Sequence, residues 1–396
     1  MPDGADTIKV RLVESLAKVA PAQWDACAVP TEGDGNPFLS HGFLRALEAS
    51  GSVGRQSGWL PQYLLAEDAA GGLAGALPMY LKSHSQGEYV FDHGWAAAFE
   101  RAGGAYYPKL QVAVPFTPVP GRRLLVKPGP QAGPVADALV RTAIDAAKRN
   151  DISSLHVTYC SAEESQRMEK LGLLRRLGHQ YHWRNPGYGS FGEFLDELSS
   201  RKRKAIRKER EKVQHGGLLL HRLCGADIKQ RHWDAFFAFY MDTGSRKWGS
   251  PYLTREFFDL IGQTMADKIV LVMAEHDDTL VAGALNLAGR EALYGRNWGC
   301  GEDYKFLHFE ACYYQAIEHA IEHKLARVEA GAQGEHKIQR GYLPAETWSA
   351  HWIADPRLKV AIADFLERER AHIAHEKAAL DELSPFRREE NKAATA

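Results

Sequence analysis

The chain has 396 residues, 45% hydrophobic and 25% charged, with 49 Lys and Arg against 50 Asp and Glu. This is the make-up of a globular protein long enough for two domains, because single cores stop growing at about 250–300 residues. A net charge of −1 excludes a generally basic nucleic-acid coater and leaves only local basic patches, so DNA is not an expected partner. No apolar run approaches the ~18 residues of a membrane span. The opening MPDGADTIKV lacks the basic head and apolar stretch of a secretory signal. Cys27, Cys160, Cys224, Cys300 and Cys312 are dispersed, odd in number and without a CxxC pair. Neither a disulfide framework nor a Cys-rich zinc site is expected, and a cytoplasmic location is.

In chain order, the first strong signal is NPFLSHGFLRAL (Asn36 to Leu47), an apolar-periodic helix with Ser40 at its N-cap. LLAEDAAGGLAGAL (Leu64 to Leu77) has the pattern strand, tight turn at Gly71-Gly72, strand. Periodicity then predicts a helix over Pro134–Arg149, a strand over Ser154–Tyr159, a short helix over Glu163–Leu171 and a strand over His179–Trp183. Arg184-Asn-Pro-Gly-Tyr-Gly189 is a breaker cluster and a boundary. Phe191–Lys212 is expected to be helical and Leu218–Leu223 a strand, with helices at Trp233–Met241 and Arg255–Met265. A trio of strands over Val270–Asn297 follows. A helix over Phe306–Lys324, a strand over Ala326–Glu329 and a long helix over Pro356–Leu383 complete the prediction. The tail from Arg387 is expected to be disordered.

The second half echoes the first. SPYLTREFFDLI (Ser250 to Ile261) repeats the Pro, Leu and Phe of Asn36–Leu47 at an offset of 214, with Thr254 in the place of Ser40. VMAEHDDTLVAGAL (Val272 to Leu285) matches Leu64–Leu77 at six of fourteen positions at an offset of 208, with its turn at Asp277-Asp278-Thr279. Glu291–Trp298 matches Glu88–Trp95 in its ends and apolar centre. Three matches in one order predict a duplicated α/β domain. The expected boundaries are 8–185 and 190–355, followed by a C-terminal helix over 356–384 and a tail over 385–396.

Four segments carry candidate chemistry. Arg296-Asn-Trp-Gly299-Cys-Gly301 is an R-x-x-G-x-G run between the last strand of the trio and the following helix. Glycines let the backbone approach a phosphate and a helix N-terminus favours an anion, so Arg296, Gly299 and Gly301 are the expected donor-phosphate ligands, with Trp298 as a substrate contact. A simple chain reversal is the bland alternative. Arg201–Lys212 carries eight basic and two acidic residues, a composition that fits a solvated helix face or a phosphorylated ligand. Glu329–Tyr342 packs ionisable residues among three glycines after a strand end; there His336 or Glu335 is the expected base, and Lys337 and Arg340 the expected anion holders. In the first half, Asp92, His93, Tyr107 and Lys109 are expected to line a substrate groove, with His93 a third candidate base. His319-Ala-Ile-Glu322-His323 fits the H-x-x-E-H zinc pattern. The apolar stripe Tyr313, Ala316, Ile317, Ala320, Ile321 places these histidines on the accessible face, and no metal is expected.

These blocks together resemble the FemAB-like branch of the GNAT N-acyltransferase superfamily. The resemblance is carried by FDHGWA (Phe91–Ala96), YYPKLQ (Tyr106–Gln111), PFTPVPGRRLL (Pro115–Leu125), SSRKRKAIRKER (Ser199–Arg210), YGRNWG (Tyr294–Gly299), LHFEACYYQAIE (Leu307–Glu318) and EAGAQGEHKIQRGYLP (Glu329–Pro344). It implies an α/β fold of two tandem GNAT-like domains, each a mixed, mostly antiparallel sheet flanked by helices. It further implies transfer of an aminoacyl group from aminoacyl-tRNA to the amine of a peptidoglycan precursor, without a metal, and a loop lysine near the acceptor, which here is Lys337. The chain lacks the coiled-coil arm of some relatives, and its R-x-x-G-x-G run is closer to users of acyl-CoA. The expected function is therefore N-acyl transfer from acyl-CoA or aminoacyl-tRNA to an amine, with no tightly bound cofactor. The competing expectation is a non-catalytic binder of tRNA or cell-wall precursors.

Overall fold

In a computed structural model of the chain, residues 8–246, 251–332 and 334–387 are described. The strands are β1 (Lys9–Val13), β2 (Trp59–Pro61), β3 (Tyr63–Glu67), β4 (Leu73–Leu77), β5 (Met79–Lys82), β6 (Lys109–Val112), β7 (Leu125–Val126), β8 (Ser154–Cys160), β9 (Leu174–Arg184), β10 (Leu219–Cys224), β11 (Ile269–His276), β12 (Thr279–Ala288), β13 (Ala292–Cys300), β14 (Arg327–Glu329) and β15 (Leu343–Ile353). The helices are α1 (Pro21–Ala28), α2 (His41–Ala49), α3 (His93–Arg101), α4 (Ala132–Arg149), α5 (Ala162–Lys170), α6 (Phe191–Asp196), α7 (Ser200–His215), α8 (Gln230–Arg246), α9 (Arg255–Thr264), α10 (Leu307–Phe309), α11 (Gln315–Glu322) and α12 (Pro356–Glu382). No helix among the described residues is long and apolar enough to cross a membrane.

The chain divides into two compact units. One comprises Met1–Gly178, Tyr252–Phe257 and Glu346–Ile373; the other comprises His179–Pro251, Phe258–Ala345 and Ala374–Ala396. Residues 346–355, expected in the second domain, thus fall in the first unit, because their part of β15 pairs with β8. Nor do residues 385–387 belong to a loose tail. Pro385 accepts from the Ser199 amide, Arg387 donates from its amide to the Glu197 carbonyl, and the Phe386 ring meets Phe194. The rest of the expected tail, 388–396, lies outside the described residues.

In the first unit, β1, β3, β4 and β7 form one antiparallel sheet. After Pro78 the chain enters a second set, in which β2, β5, β6, β8 and the end of β15 are neighbours in that order. Its two faces differ in kind. Leu110, Val112, Leu155, Val157 and Ala350 pack with Val135, Leu139, Val140 and Ala143 of α4, each large side chain contributing about 1.5–3 kcal/mol by burial. On the other face Lys82 stands opposite Lys109, Gln111 opposite His156 and His156 opposite His351, and all five are buried.

In the second unit, β10, β11, β12 and β13 run antiparallel in that order. β14 is parallel to β13, and β9 pairs antiparallel with β14 through residues 182–184. The core of this unit gathers Trp183, Phe194, Ile206, Leu293, Tyr314, Ile317, Val328 and Ile338. The expected single helix over Phe191–Lys212 is two helices, broken at residues 197–199 before Ser199, the N-cap of α7.

Two of the three repeat matches correspond in structure. Ser40 and Thr254 each accept a bond from the backbone amide three residues on, capping α2 and α9; Ser250, the first residue of the second copy, lies outside the described residues. The segments Leu64–Leu77 and Val272–Leu285 are both antiparallel hairpins, with a bulge after Ala66 in one and after Ala274 in the other. The second turn is one residue tighter. Ala66 pairs with Gly75 whereas Ala274 pairs with Ala282, so the shared Ala-Gly-Ala-Leu quartet is one residue out of structural register. The third match fails. Trp95 lies in α3 and Trp298 in β13, because Ala-rich His93–Arg101 favours helix where the aromatic Ala292–Trp298 favours strand.

The tighter turn places both Asp277 and Asp278 at positive φ, 49° and 58°, as a type I′ turn requires. Left-handed backbone costs a side chain roughly 1–2 kcal/mol. Asp278→Gly should therefore raise stability by up to about 1 kcal/mol and Asp278→Val should lower it by about as much. Urea denaturation reads both, and equal midpoints for the two variants would refute this turn.

Candidate active site

The second unit opens at one strand. Among the described residues Ala292–Tyr294 of β13 pair with β14; beyond Tyr294 the sheet pairing of the strand is with β12, across a bulge. Leu285 faces Asn297 while Asn286 faces Gly295, so Arg296 is the extra residue. Bulges of this kind bend a strand and re-aim its side chains. From this segment a run of rings leads to the loop after β14. Trp298 lies 5.4 Å from His308, His308 lies 5.3 Å from Tyr313, and the Tyr313 hydroxyl is 3.0 Å from His336 Nε2.

The loop is shaped by glycine. Gly334 and Gly341 adopt φ of 98° and 87° on either side of a 3-10 turn over Glu335–Arg340. A Cβ on Gly334 would come within 2.4 Å of the His336 ring. Arg340 then anchors the turn from below. Its Nε donates to the Tyr314 hydroxyl at 3.1 Å, Nη1 to the His336 carbonyl at 2.8 Å and Nη2 to Glu209 of α7 at 2.7 Å. Its guanidinium lies over the Phe309 ring, and the Tyr314 hydroxyl donates to Glu209. Arg340, expected to hold an acceptor anion, is buried and its guanidinium is bonded within the protein, to the His336 carbonyl among others. Lys337 is likewise buried, donating to the carbonyls of Ala330 at 2.5 Å and Gly331 at 3.4 Å. Burial lowers its pKa to about 8. It ties the loop to itself.

His336 is exposed. Partial burial, Arg340 and Lys337 push its pKa down, which keeps the imidazole neutral at neutral pH. Burial pushes the Tyr313 phenol well above its ordinary value, so the hydroxyl stays neutral beside the imidazole. Glu335 is exposed beside His336. Gln333 of this loop lies outside the described residues.

The expected phosphate cradle takes another form. Arg296, Trp298 and Gly299 lie within β13, not in a loop, and the Gly301 amide donates to the Val281 carbonyl at 2.9 Å. A Cβ on Gly299 would sit 2.4 Å from the Phe239 backbone of α8, so this glycine serves helix–strand packing. The zinc pattern is also taken apart. His319 is buried, not accessible, and stacks 4.0 Å from exposed His323, while Glu322 is ion-paired to Arg222 at 2.7 Å. On α7, Arg203 pairs with Asp196, and Arg210 with Glu310 and Glu318. Arg201, Lys202, Lys204, Arg207, Lys208 and Lys212 form no ion pair among the described residues.

In the first unit, three of the expected contacts converge and one stands aside. Lys109 Nζ donates to Ser85 at 2.7 Å, Glu88 at 2.8 Å and Asp92 at 2.5 Å, and Ser85 meets the Tyr107 hydroxyl at 2.8 Å. Asp92 also accepts from Tyr106 at 2.7 Å. Burial works against ionisation of Asp92, but the charge and hydrogen bond of Lys109 together with its other partners outweigh it and hold the carboxyl well below the usual range. His93 is exposed and stacked on Phe91, away from this network. The sequence reading passed over Tyr313, His308 and Glu209 in one unit, and Lys82, Glu88, His156 and His351 in the other.

The model of the FemAB-like family, described as peptidoglycan biosynthesis/recognition, matches residues 15–388. The chain belongs to the FemAB-like family. No curated protein sequence matches it. Among solved structures it is similar to FemX, at 11% identity and a TM-score of 0.56, covering 89% of this chain and 100% of that one. It is also similar to the C-terminal DUF2156 domain of an Agrobacterium fabrum protein described as a lysylphosphatidylglycerol synthetase, at 9% identity and a TM-score of 0.53, covering 88% and 96%. A tandem GNAT protein from the clavulanic acid pathway matches at 12% identity and a TM-score of 0.47, covering 88% and 99%. The fold is the mixed α/β arrangement shared with FemX.

Two variants separate positioning from packing. Arg340→Ala strands Glu209 without its partner and should cost about 3–5 kcal/mol. Gly299→Ala forces a methyl against the Phe239 backbone and should cost about 1–3 kcal/mol. Thermal melts check both; an Arg340→Ala protein as stable as wild type would mean that the turn is held by something else.

Proposed function

We propose that this FemAB-like chain is an N-acyltransferase that moves an aminoacyl group from an activated ester to an amine, with His336 as general base. The carrying observation is a neutral, exposed imidazole backed at 3.0 Å by the Tyr313 hydroxyl, beside the strand segment that has lost its outer partner. An attacking ammonium must first lose a proton, and a neutral imidazole of lowered pKa accepts it. Tyr313 orients the ring: with its hydroxyl accepting from Nε2–H, the Nδ1 lone pair is free to take the proton. The open edge of β13 with Trp298 gives the donor its bed.

Aminoacyl-tRNA suits the donor role better than acyl-CoA. Gly299 is committed to packing against Phe239, whereas α7 presents six basic residues without ion pairs, which attract a phosphate backbone. The acceptor in this reading is the amine of a peptidoglycan precursor, in keeping with the family description, and the reaction runs in the cytoplasm.

His336→Ala should lower transfer by about 10²–10⁴-fold, whereas Lys204→Ala, one charge among many, should change it less than about threefold. The pH profile supplies the sign. The base must be unprotonated, so activity falls as pH drops through the lowered pKa of His336, with a midpoint below the ordinary value of about 6.5. Transfer of radiolabelled amino acid from charged tRNA to a precursor peptide reads all three. A His336→Ala enzyme with wild-type turnover would remove this residue from the chemistry.

A further inference from the structure

His336 and Tyr313 stand on different elements, and one helix holds both. The π segment over Glu310–Tyr314 carries Tyr313, and the turn over Glu335–Arg340 carries His336. On α7, Ile206 and Val213 are buried, and Glu209 and Arg210, three and four residues on from Ile206, share that inner side. Arg210 pairs with Glu310 at 2.9 Å and so ties α7 to the π segment. Glu209 accepts from Arg340 Nη2 at 2.7 Å, and from the Tyr314 hydroxyl, and so ties α7 to the turn.

The tie to the turn carries charge as well as position. With one guanidinium Arg340 donates to the His336 carbonyl at 2.8 Å and to Glu209. The Phe309 ring lies 3.4 Å from the guanidinium carbon and 5.5 Å from the imidazole centre, so one apolar ring neighbours both. Across apolar matter charges act on each other more strongly than across water. The ionisable groups around the imidazole are Glu335, Lys337 and Arg340 of its own turn, His308 of α10, Tyr313 of the π segment and, behind Arg340, Glu209 of α7. Partial burial, Arg340 and Lys337 oppose protonation of the ring. Glu209 is an anion bonded to one of those two cations.

We propose that Glu209 is a positioning residue for His336: through Arg340 it fixes the turn that sets the imidazole on Tyr313, and it offsets the guanidinium charge that opposes protonation of the ring. The proposal rests on the acyl-transfer reading only for its bearing on rate. Two consequences have opposite signs. With Glu209 uncharged, Arg340 acts on the ring unopposed, and the pKa of His336 falls. With both side chains neutral, the nearer cation is gone as well, and the pKa rises above that of wild type.

Nitrogen NMR of the full chain labelled at its imidazoles, with His336→Gln to identify the resonance, reads both the pKa and the tautomer without turnover. In Glu209→Gln the amide still accepts from Arg340, so the ring should keep its proton on Nε2 while its pKa falls by roughly 0.3–1 unit. In Glu209→Ala the pKa should fall and the single tautomer be lost, because the bonds go with the charge. In the double variant Glu209→Gln, Arg340→Met the pKa should rise. A Glu209 that served stability alone would lower the melting temperature and leave the titration of His336 in place. An unchanged or raised pKa in Glu209→Gln, or a single tautomer kept in Glu209→Ala, overturns the proposal. If the single variants melt early, the double variant decides, since exchanging a whole buried pair for neutral groups is tolerated better than breaking it; a pKa at or below that of wild type then overturns it. Shifts as expected in a chain that transfers nothing refute the enzyme reading and leave this one standing.

Discussion

The parting of β13 from β14 after Tyr294 is the constraint on which the second unit's site depends. Paired along its whole length, β13 would bury Trp298 in a closed sheet and leave the loop after β14 with nothing to face. Parted, it turns a strand edge toward His308, Tyr313 and His336. The bulge at Arg296 and the close approach of Gly299 to α8 hold the strand in that course. Tilting the edge open leaves backbone groups without sheet partners, a state that proteins keep where a ligand or a second chain completes the pairing.

His336 is held by a second set of contacts, and these are stiff. Glu209, Tyr314, Arg340 and Phe309 form a buried knot beneath the His336 carbonyl. A buried ion pair adds little stability compared with a well-packed apolar substitute, but breaking it is costly. Its value here is geometric: a charged knot tolerates few arrangements, and so fixes the turn that carries the imidazole. A short π segment over Glu310–Tyr314 brings Tyr313 and Tyr314 together against this turn, in keeping with the frequent placement of such segments at functional sites. The first unit uses the same physics on a larger scale, with Lys82, Glu88, Lys109 and Asp92 alternating in charge over one face of a sheet.

Much of the fold was legible because it rests on periodicity. The helices α4, α5 and α12 and the strand trio lie within a few residues of expectation, the helix expected over Phe306–Lys324 is present as α10, a π segment and α11 in succession, and the caps Ser40 and Thr254 sit where their side chains predicted. What misled was local likeness without register. Glu88–Trp95 and Glu291–Trp298 share letters, yet one ends in a helix and the other is a strand. The R-x-x-G-x-G run gave a loop in prospect because glycine breaks pattern, but Gly299 is there to let a helix come close. Lys337 and Arg340 were expected to hold a ligand, and their side chains bond to their own loop and to Glu209 instead, since a sequence does not tell whether a cation faces outward or ties down its own backbone. The polar sheet face had a signal that went unused. SLHVTYC and WSAHWI each set Ser, His or Thr on alternate positions, the mark of a strand with one polar side.

The central claim is that the open edge of β13 and the His336 turn form one site for an activated acyl donor. It is tested most directly by NMR of the chain labelled at its indole and imidazole nitrogens, titrated with an aminoacyl-RNA minihelix. The account predicts that the Trp298 indole and the His336 imidazole shift together, with one dissociation constant. A shift at Trp298 with His336 unmoved, or a donor that binds while disturbing neither, would contradict it.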